Sequence, residues 1–92
     1  MTPEVARTVR IRNPAGMHAR PCHAIVSTAR QFECELIVAS GGVEVNGKSI
    51  LELMTLCVPC EAWISFRAVG KDAEILVERL AALVEAGFHE SA

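Results

Sequence analysis

The chain of 92 residues is poor in aromatic side chains and has no excess of basic charge. It contains no tyrosine, and aromatic residues make up only 4% of it, so it lacks the stacking platforms on which single-stranded nucleic acids bind. Nine lysines and arginines stand against eleven aspartates and glutamates, a formal net charge of −2, whereas nucleic-acid-binding domains carry a basic excess. We therefore expect no nucleic-acid partner.

Long apolar runs and targeting segments are also lacking. No apolar stretch approaches the roughly 20 residues that cross a bilayer, and the first residues show no charged-then-apolar secretory pattern. These absences predict a cytoplasmic protein with no membrane partner. A chain of this length forms one domain, residues 1–92, which is too small for a two-domain enzyme with its own cofactor fold.

The four cysteines are Cys22, Cys34, Cys57 and Cys60. In a reducing cytoplasm they stay as thiols, and we interpret most of them as small buried hydrophobic residues. Cys57 and Cys60 form a Cys-x-x-Cys pair, which leaves a thiol-redox or zinc protein as an alternative. Because the pair closes a predicted helix rather than opening one after a strand, the context differs from that of thioredoxin-like sites. We predict no metal.

The hydrophobic pattern changes period several times and predicts the element order βαββαβα. Alternating residues indicate strands and i, i+3, i+4 spacing indicates helices. The predicted strands cover 5–12, 34–40, 43–45 and 63–69, and the predicted helices cover 19–31, 49–58 and 72–86. This order is typical of an α+β open-faced sandwich, in which three helices cover one face of a four-stranded antiparallel sheet.

Several residues mark the ends of these helices. Ser49 and Glu52 have the spacing of a capping box, and Pro59 is expected to stop that helix. Asp72 is a candidate N-cap for the last helix, and Gly87 stands where a C-terminal glycine is common.

The segment Gly16–Pro21 carries the most specific chemistry. It places His18 at or beside the first helical residue, where the N–H groups of Ala19 and Arg20 would lack intrahelical partners and could bind an anion. The Arg20 guanidinium matches a phosphate, and a neutral imidazole is a nucleophile able to form a phosphoramidate. From these residues alone, His18 could equally be an ordinary cap or surface histidine.

The segment Gly16–Pro21 resembles the active-site motif of HPr, the histidine-containing phosphocarrier of the bacterial phosphoenolpyruvate:sugar phosphotransferase system. Asn46–Leu56 resembles the regulatory-serine segment of that family. The resemblance implies a cytoplasmic monomer that is no enzyme and needs no cofactor. His18 would accept a phosphoryl group on Nδ1 from enzyme I and pass it to an enzyme IIA protein or domain. Arg20 and the Ala19 N–H would stabilise the group, and Ser49 would be modified by an HPr kinase/phosphorylase.

A partner-binding surface is expected beside His18. Exposed apolar residues around a charged centre are typical of transient protein contacts. The candidates are Met17, Arg20, His23, Ile50, Leu51 and Met54. A regulatory binding module controlled by phosphorylation of Ser49 remains the second functional hypothesis.

Overall fold

The computed structural model describes residues 4–90 and confirms the predicted element order. The strands and helices are β1 (Glu4–Arg10), α1 (Ala19–Ala29), β2 (Cys34–Ser40), β3 (Val43–Asn46), α2 (Ile50–Met54), β4 (Trp63–Gly70) and α3 (Ala73–Glu85), followed by a single 3-10 turn (Gly87–His89). Within the described residues, no helix combines the length and the apolar character needed to cross a bilayer.

The four strands form one antiparallel sheet in the order β1-β4-β2-β3. Alternation along β4 turns Ile64, Phe66 and Ala68 towards the helices, where all three are buried, and leaves Trp63 exposed. The predicted class, an α+β open-faced sandwich with three helices, is therefore confirmed.

The core lies between the sheet and the helices, because each helix buries one apolar stripe. The fully buried large side chains of this core are Ile11, Ile25, Leu36, Val38, Leu53, Ile64, Phe66, Leu76, Val77, Leu80 and Val84. The apolar stripe of α1 (Cys22, Ile25, Val26 and Ala29) is entirely buried, whereas Leu83 on α3 is only partly buried.

Two element ends differ from the prediction because hydrogen bonding changes there. The first strand is assigned only to Arg10, although Ile11 still exchanges hydrogen bonds of 2.9 and 2.8 Å with Ala62 and Glu61. The first helix ends at Ala29 rather than near residue 31, since the N–H groups of Gln31 and Phe32 bond to carbonyls three residues back, which tightens the last turn.

The second helix is shorter than expected. It ends at Met54, after five residues, so Pro59 does not terminate it. The Glu52 N–H donates to Ser49 Oγ (3.3 Å), but the Glu52 carboxylate accepts from the Asn46 N–H (3.0 Å). Only half of the predicted capping box is therefore formed, because Asn46 competes for the carboxylate.

At the last helix, Asp72 occupies the N-cap position without capping through its side chain. Its carboxylate instead accepts from the Glu33 N–H at 3.0 Å, which ties the start of α3 to the loop before β2. Gly87 follows the C-cap with a φ of +64°, as the predicted helix end requires.

Candidate functional site

The loop from β1 to α1 is held against the loop that precedes β4. Gly16 has a φ of +70°, and a Cβ there would lie 2.6 Å from the carbonyl oxygen of Val58. The neighbouring Met17 N–H donates to that same oxygen at 2.8 Å. Only glycine combines the left-handed φ with this close approach of two backbones, so Gly16 positions the backbone that leads to His18, two residues later.

His18 is the N-cap residue of α1, with extended backbone angles (φ −121°, ψ −168°) and no capping hydrogen bond from its side chain. Its imidazole is 42% exposed, and Nε2 lies 3.0 Å from Oε2 of Glu90. Within residues 4–90, Nδ1 has no hydrogen-bond partner. The ring is thus anchored on one side and accessible on the other.

The first turn of α1 supplies amide donors beside His18. The first intrahelical hydrogen bond runs from the Cys22 N–H to the His18 carbonyl (3.1 Å), and Pro21 has no N–H. The N–H groups of Ala19 and Arg20 therefore precede the helical ladder. The positive end of the α1 helix dipole lies at these N–H groups, where it would attract an anion bound beside His18.

Arg20 is the exposed cation of this site. Its side chain lines an open depression of about 380 Å³ together with Pro21, His23, Ala24, Phe88, His89 and Glu90. Two other basic residues, Arg30 and Lys48, form hydrogen bonds to backbone carbonyls: Arg30 donates to Lys48 (3.3 Å) and Lys48 donates to Phe32 (2.9 Å).

Sequence reasoning missed the C-terminal contribution to the site. Gly87, Phe88 and His89 all have a left-handed φ, and the buried Phe88 ring anchors this turn on the core. The turn brings Glu90 back to His18, 72 positions along the chain. No local motif announces such a contact, because only the packing of α3 on the sheet carries the C-terminal turn to the start of α1.

The expected partner surface is formed in part. Leu51 and Met54 are 77% and 44% exposed on α2, and His23 is exposed on α1. Met17 is only 7% exposed, so its inclusion was wrong: the hydrogen bond of its N–H to Val58 draws it under the loop, and its side chain joins the core. Ile50 is partly buried against the same core.

Ser49 is the N-cap of α2 and its hydroxyl accepts the Glu52 N–H. It is partly buried, two residues before the exposed Leu51. A modification of this hydroxyl would therefore act at the edge of the expected partner surface.

Comparison with known proteins identifies the family. The family model described as "PTS HPr component phosphorylation site" matches residues 5–86. The chain belongs to the HPr family. HPr proteins are phosphocarriers of the phosphotransferase system, so the expectation raised by the two sequence motifs is confirmed.

Individual relatives agree with this assignment. The chain is 31% identical over 86 residues to the phosphocarrier protein HPr of Treponema pallidum, which covers 94% of this chain and 98% of that protein. It is 36% identical to the multiphosphoryl transfer protein of Vibrio cholerae over 90% of this chain, but spans only 22% of that longer protein. The crystal structure of HPr-C-His from Thermoanaerobacter tengcongensis is similar to this HPr fold with a TM-score of 0.90 and 34% identity, covering 96% of this chain and 99% of that one.

The cysteines of this HPr family member lie in different environments. All four are free thiols. Cys22 is buried, Cys34 and Cys60 are partly buried and Cys57 is exposed, so the prediction that most of them are buried was wrong. Burial, with a smaller effect of the nearby Cys57, raises the pKa of the Cys22 thiol. Burial also raises the pKa of the Cys34 thiol. Smaller effects come from Lys48, which lowers this pKa, and from Asp72, which raises it.

The Cys-x-x-Cys pair lies in the loop after α2 and its thiols point to different elements. Cys57 Sγ donates to the Met54 carbonyl (3.5 Å), whereas Cys60 Sγ contacts the Arg12 carbonyl (3.7 Å). Residues 4–90 contain no group of three or more His, Cys, Asp or Glu side chains that could hold a metal ion.

Proposed function

We propose that this HPr family member accepts a phosphoryl group on Nδ1 of His18 from phosphorylated enzyme I and passes it to an enzyme IIA protein or domain. The observation that carries the proposal is the placement of His18 at the start of α1. There Nε2 faces Glu90 at 3.0 Å and the exposed ring leaves Nδ1 accessible. A neutral imidazole nitrogen in this state is a nucleophile for an activated phosphoryl group.

In the transfer step, the Nδ1 lone pair attacks the phosphorus atom. A P–N bond forms as the bond between phosphorus and its donor breaks, and the donor keeps that electron pair. The Ala19 amide and the Arg20 guanidinium are the groups that would stabilise the phosphoryl oxygens. Transfer to the acceptor reverses these roles, so the protein is a stoichiometric intermediate rather than an enzyme and needs no cofactor.

Docking is proposed to use the exposed face of α2 next to this site. Leu51 and Met54 supply apolar contact area, while Arg20 and His23 supply polar contacts around it. Small patches of this type suit brief encounters with successive partners. The same family assignment supports a single-domain monomer that works in the cytoplasm.

The decisive experiment is phosphorylation from phosphoenolpyruvate through enzyme I. We expect one acid-labile, base-stable phosphate per chain, located on His18 by mass spectrometry. His18→Ala should abolish it. The matched variant His23→Ala should still carry one phosphate per chain once charging is complete, because the docking role proposed for His23 affects only the rate. Phosphate that persists in His18→Ala would reject the proposed site.

A regulatory role for Ser49 is the second proposal, supported by the position of its hydroxyl. Phosphorylation by an HPr kinase/phosphorylase would add roughly −1.5 to −2 charges at the start of α2, beside the exposed Leu51. We expect Ser49-phosphorylated protein to accept phosphate from enzyme I more slowly. If Ser49 is phosphorylated and His18 never accepts phosphate, the protein is a regulatory binding module instead.

A further inference from the structure

Asn13 is a buried polar residue that the phosphorylation motif does not include. It is 2% exposed and lies in the loop between β1 and His18. Its amide nitrogen Nδ2 donates to the Gly16 carbonyl at 2.6 Å and to Oε1 of Glu90 at 3.1 Å. Both acceptors face the same end of the amide, so only its –NH₂ group can point towards them.

The Glu90 carboxylate is held between Asn13 and His18. Its side chain is only 15% exposed, and its two oxygens serve different partners. Oε1 accepts from Asn13, and Oε2 lies 3.0 Å from Nε2 of His18. A continuous chain of contacts therefore joins the buried amide to the imidazole.

This chain of contacts decides which nitrogen of a neutral imidazole carries the proton. A carboxylate offers only acceptors, so its position 3.0 Å from Nε2 favours the state in which Nε2 carries the proton. Contact with Glu90 thus favours the Nε2–H tautomer and leaves the lone pair on Nδ1. During attack on phosphorus the ring gains positive charge, which the adjacent carboxylate stabilises, as it does in carboxylate–histidine pairs generally.

We infer that Asn13 is a positioning residue that acts through Glu90, holding its carboxylate against Nε2 so that Nδ1 of His18 is the nucleophile. The inference rests on the proposed function and deepens it. The competing explanation is that Asn13 only braces its own loop through the Gly16 carbonyl. The two explanations differ in whether the effect of removing Asn13 depends on the presence of Glu90.

The first test measures the His18 tautomer by ¹⁵N NMR on unphosphorylated protein, at a pH where the ring is neutral. The three histidines of the chain give separate signals, so His23 and His89 serve as internal references. We expect only the Nε2–H form of His18 in the unmodified protein. Glu90→Ala and Asn13→Ala should both move His18 towards the tautomer mixture of free histidine.

The second test measures the rate of phosphorylation by enzyme I in a double-mutant cycle. We expect Glu90→Ala and Asn13→Ala each to slow acceptance about tenfold, the size of one hydrogen bond to a developing charge. The double variant should be no slower than Glu90→Ala alone. Glu85→Ala, which removes the same charge from a residue paired with Arg7, is the matched control and should leave the rate unchanged.

Two results would overturn the inference. One is a His18 that remains entirely Nε2–H in Glu90→Ala, and the other is a double variant whose slowing is the product of the two single effects. If Asn13→Ala does not fold, Asn13→Leu, which is similar in shape, loses the –NH₂ donor and adds no charge, replaces it. The tautomer measurement needs no phosphoryl donor, so its failure is distinct from a failure of His18 to accept phosphate.

Discussion

Replacing Gly16 by alanine tests the packing that positions His18, and a matched glycine gives the control. Gly16 and Gly41 both have a left-handed φ, +70° and +58° respectively. An added Cβ at Gly16 lies 2.6 Å from the Val58 carbonyl oxygen, whereas at Gly41 nothing lies within 4 Å. The two substitutions therefore share the cost of backbone conformation and differ in steric overlap.

The expected magnitudes follow from these two terms. An alanine at positive φ costs about 1–2 kcal/mol, and its smaller conformational freedom in the unfolded chain offsets about 0.4–1 kcal/mol. Gly41→Ala should thus reduce the free energy of unfolding by about 1 kcal/mol. Overlap with backbone atoms adds about 1–3 kcal/mol, so Gly16→Ala should lose about 2–4 kcal/mol.

Urea denaturation measures both losses, and thermal unfolding offers a second reading. For a domain of this size 1 kcal/mol corresponds to about 4–8 °C in Tm, so Gly16→Ala should melt about 4 °C or more below Gly41→Ala. Its phosphorylation by enzyme I should also slow, because the loop must shift away from Val58. Equal destabilisation by the two substitutions would refute the close packing of these loops.

Three further predictions concern other parts of the molecule. Burial raises the pKa of the Cys22 thiol, so the thiol of the unfolded chain ionises at lower pH, and the free energy of unfolding should fall above about pH 8.5 by up to about 1.4 kcal/mol per pH unit. Urea titrations of Cys22→Ala at several pH values should show a smaller fall, and an unchanged pH dependence would contradict the prediction. Ser49→Ala should lower the free energy of unfolding by about 1 kcal/mol in the same assay, because the α2 N-cap is lost. Ser49→Asn, which can still cap the helix, should keep most of that stability, and equal losses in the two variants would exclude capping. Leu51→Ala should raise the KM of enzyme I for this carrier about fivefold or more with little change in stability. Ile75 is also exposed but lies on α3, so Ile75→Ala should leave this KM unchanged, and equal effects of the two variants would place docking elsewhere.

Much of the fold was predictable because its signals are local. Alternation along β4 and the i, i+3, i+4 stripes of α1 and α3 required only a list of apolar positions. The helix end at Gly87 was equally visible, since a left-handed φ favours glycine. The place of His18 ahead of a helix could be deduced from its neighbours alone.

Predictions about side-chain partners were less successful where several groups compete for one donor or acceptor. Asp72 and Glu52 were expected to cap helices, yet they accept from the N–H groups of Glu33 and Asn46. Met17 was expected at the surface but is buried. The deciding contacts are made with Glu33, Asn46 and Val58. Each of these residues lies outside the helix or loop concerned, so local spacing cannot show the contact.

The sequence by itself therefore determined the elements, their order and the place of His18 ahead of α1, because residue type and local spacing dictate helix starts, turns and buried faces. Only the tertiary structure decided which groups surround that histidine. Folding α3 back across the sheet places Glu90 against His18 and Asn13. Contacts between residues more than 70 positions apart arise from the packing of whole elements, and no short motif encodes them.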